Sequence, residues 1–458
     1  MLKGFSHSLY RSCLRACCFA AVLSCYGASA TTSTQAHQAS RPHQARSTVQ
    51  DTGLQTKRAQ KATSSTTAAE AQSLSQMTGL SGNRWVIQNT QMIKPPFNFD
   101  ITSNFSGNIS AYWQADFVNV SETLYPSDTS YAQWRSGVMG LQLTWDKVWQ
   151  FYGAYNFSTY ATDTHYNWRS LNISYLGIHH VGITVGQIAP YFGLENDAPT
   201  ADIWFLELAL PNYLYTPPYA VGALVFWDHD PVTLAFSVFG PRFQTWDDPS
   251  FTIGGAFNAT YAPIHEERKA FALNTAVWAE NAYEGVSGFG SVPEVLLPGG
   301  STDISTGSID NTIATPTIDF GVAGTYGSFS IEAEYLQAWV TRTQGLSTLA
   351  FNGYFAAVSY LLTGESEVYN LLATSFVGIS KVRHPYGAFQ LVARVSGSDL
   401  SDQDIEGGHQ LDWTMGLNWY PINNFIVMFN YIRNYSSAGF DNNQPYGNTF
   451  ATRLELLF

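Results

Sequence analysis

The sequence predicts an all-β chain: a sixteen-stranded antiparallel transmembrane β-barrel with its third outer loop folded inward. Three observations carry that expectation. Beyond residue 30 the chain has no run of about 18 apolar residues, the length one spanning helix needs. Aromatic residues make up 15% of the chain and charged residues only 12%, about half the charged share usual in a soluble domain. From Ile109 onward apolar and polar residues alternate with a period of two in segment after segment, the signature of strands. A barrel reconciles the three, because only every second residue of its wall meets lipid.

The first 30 residues read as a signal peptide. Lys3, Arg11 and Arg15 supply a positive start, residues 16–24 an apolar centre, and Ala28, Ser29 and Ala30 a small-residue cleavage site. All four cysteines, Cys13, Cys17, Cys18 and Cys25, lie inside it. The mature chain is therefore expected to have no disulfide and no thiolate metal site. Residues 31–93 are rich in Thr, Ser, Gln and Ala, with few positions that could enter a core. They read as a flexible periplasmic tether, and residues 94–458 as the barrel. Residues 1–94 hold ten Lys/Arg against two Asp/Glu, whereas 95–458 hold twelve against thirty-three. An excess of that size bears on which ions a lumen admits.

Sixteen alternating segments are expected: 109–120, 137–146, 148–157, 169–177, 180–188, 220–228, 231–239, 251–261, 269–279, 317–326, 329–341, 349–362, 386–397, 410–420, 425–433 and 448–458. The alternation sets Trp113 and Phe117 outward against Tyr112, Gln114 and Asp116, and Trp413 and Met415 against Asp412 and Thr414. Connections alternate between tight, as at 146–147 and 327–328, and long, as at 121–136 and 280–316. An even strand number with short periplasmic turns and longer outer loops is the bacterial outer-membrane pattern. One connection departs from it. Residues 363–385 are long on the short-turn side, as a periplasmic excursion or as an extra strand pair within 370–380. The last segment reaches Phe458, as ring closure requires, and a terminal Phe resembles the assembly signal by which the barrel assembly machinery recognises outer-membrane proteins.

The long connection 189–219 follows the alternating strand 181–188 and is the natural candidate for a loop that narrows the lumen. It carries Glu195, Asp197, Asp202 and Glu207, with Tyr213 and Tyr215 toward its end, and no Lys or Arg. Lumen-facing positions from the alternation are Gln114, Asp116, Asp146, Glu332, Glu334, Arg394 and Asp412. The inward acids could line a cation path or pair with inward Arg394 and Arg453. Four acids at a constriction favour cations and repel phosphate, unless Arg394, Lys381 or Arg383 reaches their level from the wall.

Several of these stretches resemble the phosphate-selective porin O/P family. Residues 186–196 (GQIAPYFGLEN) look like its strand-to-constriction segment. Residues 204–210 (WFLELAL), 359–366 (SYLLTGES), 387–396 (GAFQLVARVS) and 415–431 (MGLNWYPINNFIVMFNY) are similar in order and spacing. The resemblance implies a homotrimeric pore in outer-membrane lipid that passes small ions and solutes. It also marks departures where selectivity would sit. The family's basic positions after Gly186-Gln187 and after the loop's Phe-x-Glu are here Ala189 and Leu208. Phosphate binding needs several converging Arg or Lys donors, so the expected pore is not phosphate-selective.

A barrel enzyme is the first rival, but no G-x-S-x-G elbow is present. A receptor or adhesin is the second, suggested by the length of 280–316. The acids of 399–406 lack the ordered spacing of a calcium loop, and Asp228, His229 and Asp230 read as a solvated turn. No metal, cofactor or nucleic-acid partner is expected.

Overall fold

The computed structural model describes residues 97–458 except 121–128, 159–167, 241–251, 292–293, 297–302, 438–445 and Phe458. The expected signal peptide, tether and terminal assembly residue lie outside the described residues.

Sixteen strands form the wall: β1 (Phe105–Val120), β2 (Thr129–Trp145), β3 (Trp149–Asn156), β4 (Trp168–Ile178), β5 (Val181–Ile188), β6 (Ala220–His229), β7 (Val232–Phe239), β8 (Gly254–Glu266), β9 (Lys269–Glu280), β10 (Thr317–Tyr326), β11 (Phe329–Arg342), β12 (Leu349–Leu361), β13 (Ala388–Asp402), β14 (Ile405–Ile422), β15 (Phe425–Ser436) and β16 (Tyr446–Leu457). Each pairs antiparallel with the next. β16 returns to β1 with Gln114 opposite Glu455 and Asp116 opposite Arg453. No wall strand is left with a free edge, which a bilayer core would penalise heavily. Each expected segment corresponds to one of these strands.

The alternation sorts side chains as the wall requires. In β1, Trp113 and Phe117 are exposed on the outside while Tyr112, Gln114 and Asp116 are buried within. In β16, Phe450 and Leu454 face outward, and Ala451, Arg453 and Glu455 inward.

Three departures from the sequence reading bear on the lumen. First, β13 and β14 run well past the expected ends, so only Gln403 and Asp404 connect them. The acids of 399–406 sit on this hairpin end, where Asp404 pairs with Arg342 at 2.7 Å. Their polarity suits strands that continue beyond lipid. Second, Asp146 does not line the lumen. It sits in the tight β2–β3 turn with φ +52° and is exposed, because the strand ends at Trp145 before alternation can carry the next residue inward. Third, the connection after β12 contains a short antiparallel pair, Glu367–Asn370 with Ser375–Ile379, that is separate from the wall. The excursion and the extra pair are one feature, and the wall stays at sixteen.

β2 carries a bulge. Gln114 of β1 pairs with Ser136, yet the next residue, Ala115, pairs with Trp134. Arg135 is the extra residue, and a bulge re-aims the side chain it carries.

Candidate functional site

Three insertions converge inside the wall: the loop 189–219 after β5, the loop 281–316 after β9, and the hairpin after β12. Helix α1 (Leu210–Tyr215) ends the first of them, with Pro211 in its first turn, where a missing N–H does no harm. Apolar side chains join the insertions. Leu194, Trp204, Phe205 and Ala209 of the first loop form one buried cluster with Tyr369 and Phe376 of the hairpin, and Trp204 meets the Phe376 ring at 5.3 Å. Gly378 turns the hairpin with φ +83°, a left-handed conformation that favours glycine. A Cβ there would stand 2.6 Å from Asp202.

Three of the four loop acids, Glu195, Asp197 and Glu207, are held by hydrogen bonds or ion pairs. Glu195 accepts from Arg394 of β13 at 2.7 Å and from the Ala209 amide at 2.7 Å. Glu207 takes both arms of Arg135, at 2.6 and 2.7 Å, and one of Arg453 at 2.8 Å. Burial pushes the Glu207 carboxyl up, but the two guanidinium charges outweigh it and hold it at about 2. Asp197 accepts from the Phe192 amide at 2.9 Å, from Thr374 of the hairpin at 2.8 Å and from Asn258 of β8 at 3.0 Å. Asp202 faces the hairpin, and burial, reinforced by nearby Glu455 and Glu367, holds its carboxyl well above the usual range. The wall therefore does reach the loop: Arg394 as the sequence proviso allowed, together with Arg135 and Arg453.

The remaining expected positions divide. Tyr215 is buried, its hydroxyl 2.7 Å from Ser398, while Tyr213 is exposed. Gln114 donates to Glu455 at 2.6 Å. Asp116 holds Arg453 in a two-pronged pair at 2.7 and 2.9 Å. Glu334 accepts from Asn212 at 2.6 Å and from the Leu194 amide, and Glu332 is buried on the same face of β11. Asp412 accepts from Asn434 at 2.8 Å.

Arg135 and Glu294 escaped the sequence reading. Arg135 lies in the bulge, where a period of two misassigns it. Glu294 belongs to the loop 281–316, whose composition marks no inward residue, yet it is buried 2.7 Å from Arg394 and bonds to Thr414 at 2.5 Å. Described residues of that loop enter the lumen: Leu296 accepts from Gln133 at 3.3 Å and Asn434 donates to Asp303 at 2.7 Å.

Residues 108–458 match the family model described as phosphate-selective porin O and P. The chain belongs to this porin family. Porin O of Pseudomonas aeruginosa is 23% identical over 393 residues, covering 77% of this chain and 89% of that protein. Among solved structures, the in-vitro folded outer membrane protein OmpT of Vibrio cholerae has a TM-score of 0.51 at 9% identity, covering 78% of this chain and 99% of its own. OmpF of Salmonella typhi in complex with daunomycin has a TM-score of 0.50 at 11% identity, covering 79% and 100%. At such identities the two structures support the fold alone. This porin is an outer-membrane channel for solutes, and what the family match leaves open is the chemistry of its constriction.

Proposed function

We propose that this porin passes small hydrophilic solutes and ions by passive diffusion, without phosphate preference and without enzymatic action. In this reading it works as a homotrimer in outer-membrane lipid. The signal peptide exports it, and the barrel assembly machinery inserts it through a signal ending at Phe458. The loop 189–219 is the constriction, with Glu195, Asp197, Asp202 and Glu207 as its charged residues.

One observation carries the selectivity. Of the four guanidinium groups that reach this loop, three are saturated by carboxylates, and the fourth, Arg169, stands alone on Thr200 with no second cation beside it. Arg394 lies 2.7 Å from both Glu195 and Glu294, Arg135 lies 2.6 Å from Glu207, and Arg453 bridges Asp116 and Glu207. A phosphate would have to displace protein carboxylates already bonded in good geometry, and the loop itself has no basic residue to add. The four acids do not act as bare negative charges either, so selectivity between small ions should be weak.

Planar-bilayer conductance in KCl with added inorganic phosphate tests this. Chloride current should be unaffected by phosphate at concentrations far below that of the salt. A saturable block at low phosphate would overturn the reading.

A further inference from the structure

Between the inner faces of β1–β6 and the loop residues 196–200 lies a cavity of about 130 Å³. The charged group bordering this cavity from β4 is Arg169, a half-buried residue. Its Nη1 donates to the Thr200 hydroxyl at 3.2 Å, and its guanidinium carbon stands 5.6 Å from the centre of the Tyr112 ring. Among the described residues no carboxylate lies within ion-pair distance of it, in contrast to Arg135, Arg394 and Arg453. Asp197 also borders the cavity, but its oxygens are already taken by Phe192, Thr374 and Asn258.

Two further groups border the same space. The hydroxyl of Tyr112 and the amide oxygen of Asn172 have no hydrogen-bond partner among the described residues, and their side chains are only 1% and 5% exposed. The Asn172 amide nitrogen is committed to the Gln187 carbonyl at 3.1 Å, so its oxygen is left to accept from a hydroxyl. A phenol hydroxyl can both donate and accept. Buried polar atoms of this kind are costly to leave unpaired. The rings of Tyr152 and Tyr219 complete the lining.

We infer that this cavity is a transit subsite for a singly charged hydroxycarboxylate. The carboxylate sits on Arg169, whose planar fork matches it. Hydroxyl groups of the solute pair with Tyr112 and Asn172, and its carbon chain runs along the tyrosine rings. One unneutralised guanidinium answers one negative charge, and a doubly charged phosphate finds no second cation beside it. The inference rests on the reading above of a channel without phosphate preference.

The test is single-channel recording in KCl at about 0.1 M, where screening still allows a charge to act over ~10 Å. Four solutes are titrated: gluconate, propionate (a carboxylate without hydroxyls), glucitol (hydroxyls without charge) and inorganic phosphate. Gluconate should reduce the current saturably, with half-block at a concentration about tenfold below the other three. Arg169→Gln should raise the gluconate value about tenfold and Arg169→Lys by less, because ammonium keeps the charge but not the fork. Tyr112→Phe should narrow the gap between gluconate and propionate. Heat-modifiable migration and KCl conductance verify that each variant has inserted. If Arg169→Gln fails to assemble, Arg169→Lys and Tyr112→Phe still decide the matter. Equal block by gluconate and propionate, or gluconate block unmoved by the Arg169 variants, overturns the subsite while leaving the unselective channel intact. Block by phosphate below the gluconate concentration overturns both.

Discussion

Arg453 of β16 lies 2.8 Å from Glu207 of the loop after β5. The strand that closes the barrel thus also clamps the loop inside it. Arg453 is 1% exposed and holds Asp116 by two bonds as well. Replacing it by Gln leaves two buried carboxylates short of a counter-charge, a loss of about 3–5 kcal/mol for a broken buried pair. Glu207→Gln should cost less, because Arg453 retains Asp116. Urea unfolding in detergent, followed by tryptophan fluorescence, gives the order of the two variants, and an equal loss contradicts the clamp.

The same contacts predict the sign of selectivity changes. Glu207→Gln releases Arg135 and weakens the hold on Arg453, and should move the zero-current potential in a KCl gradient toward chloride. Arg394→Gln exposes Glu195 and Glu294 and should move it toward potassium. Shifts in the same direction for both variants would contradict the charge assignment.

The hairpin after β12 predicts a pH response. Burial holds Glu367 up at about 8, although bonds from Trp204, Gln390 and Ser359 pull the other way. A carboxyl raised on folding favours the seated hairpin fully below the unfolded value near 4.5. That contribution fades as pH rises toward 8. Asp202, facing the hairpin, is raised in the same direction. Conductance should therefore increase between pH 5 and 8 as the hairpin loosens, roughly in step with the titration of Glu367. Glu367→Gln should flatten the rise, and a rise that survives in that variant would point to another group.

Shortening the hairpin provides a conductance test independent of pH. Joining Glu365 to Lys381 through a Gly-Ser link removes Tyr369 and Phe376 from the cluster that holds Trp204 and Phe205. The open-state conductance should rise severalfold with the wall strands unaffected, and circular dichroism of unchanged β content is the control.

Outward and inward faces of one strand should respond differently to charge. Val185 of β5 is 57% exposed on the lipid side, whereas its neighbour Thr184 borders the lumen cavity. Arginine at Val185 should cost about 2–4 kcal/mol near mid-membrane and much less at Thr184. Refolding yield into lipid vesicles distinguishes them, and equal yields would mean the faces are exchanged.

The wall was legible in the sequence because a period of two survives wherever lipid lies on one side and polar lumen on the other. Trp113 against Gln114 or Leu454 against Arg453 states the face of a strand without reference to any other strand. The length of 189–219 and its acids were equally visible, as was the anomaly at 363–385. What neutralises Glu195 and Glu207 was only partly visible. Arg394 fits the alternation, but Arg135 stands in a bulge, and a bulge shifts the phase on which such reading depends. The pairing of Arg453 with Glu207 spans 246 positions and needs the height of each side chain in the lumen. Strand tilt and register set that height, and they belong to the closed barrel rather than to any segment. The entry of 281–316 and of the β12–β13 hairpin into the lumen was likewise decided by tertiary structure. Their apolar and acidic residues, Glu294, Tyr369 and Phe376, acquire partners only when the ring of strands brings β2, β13 and β14 around them.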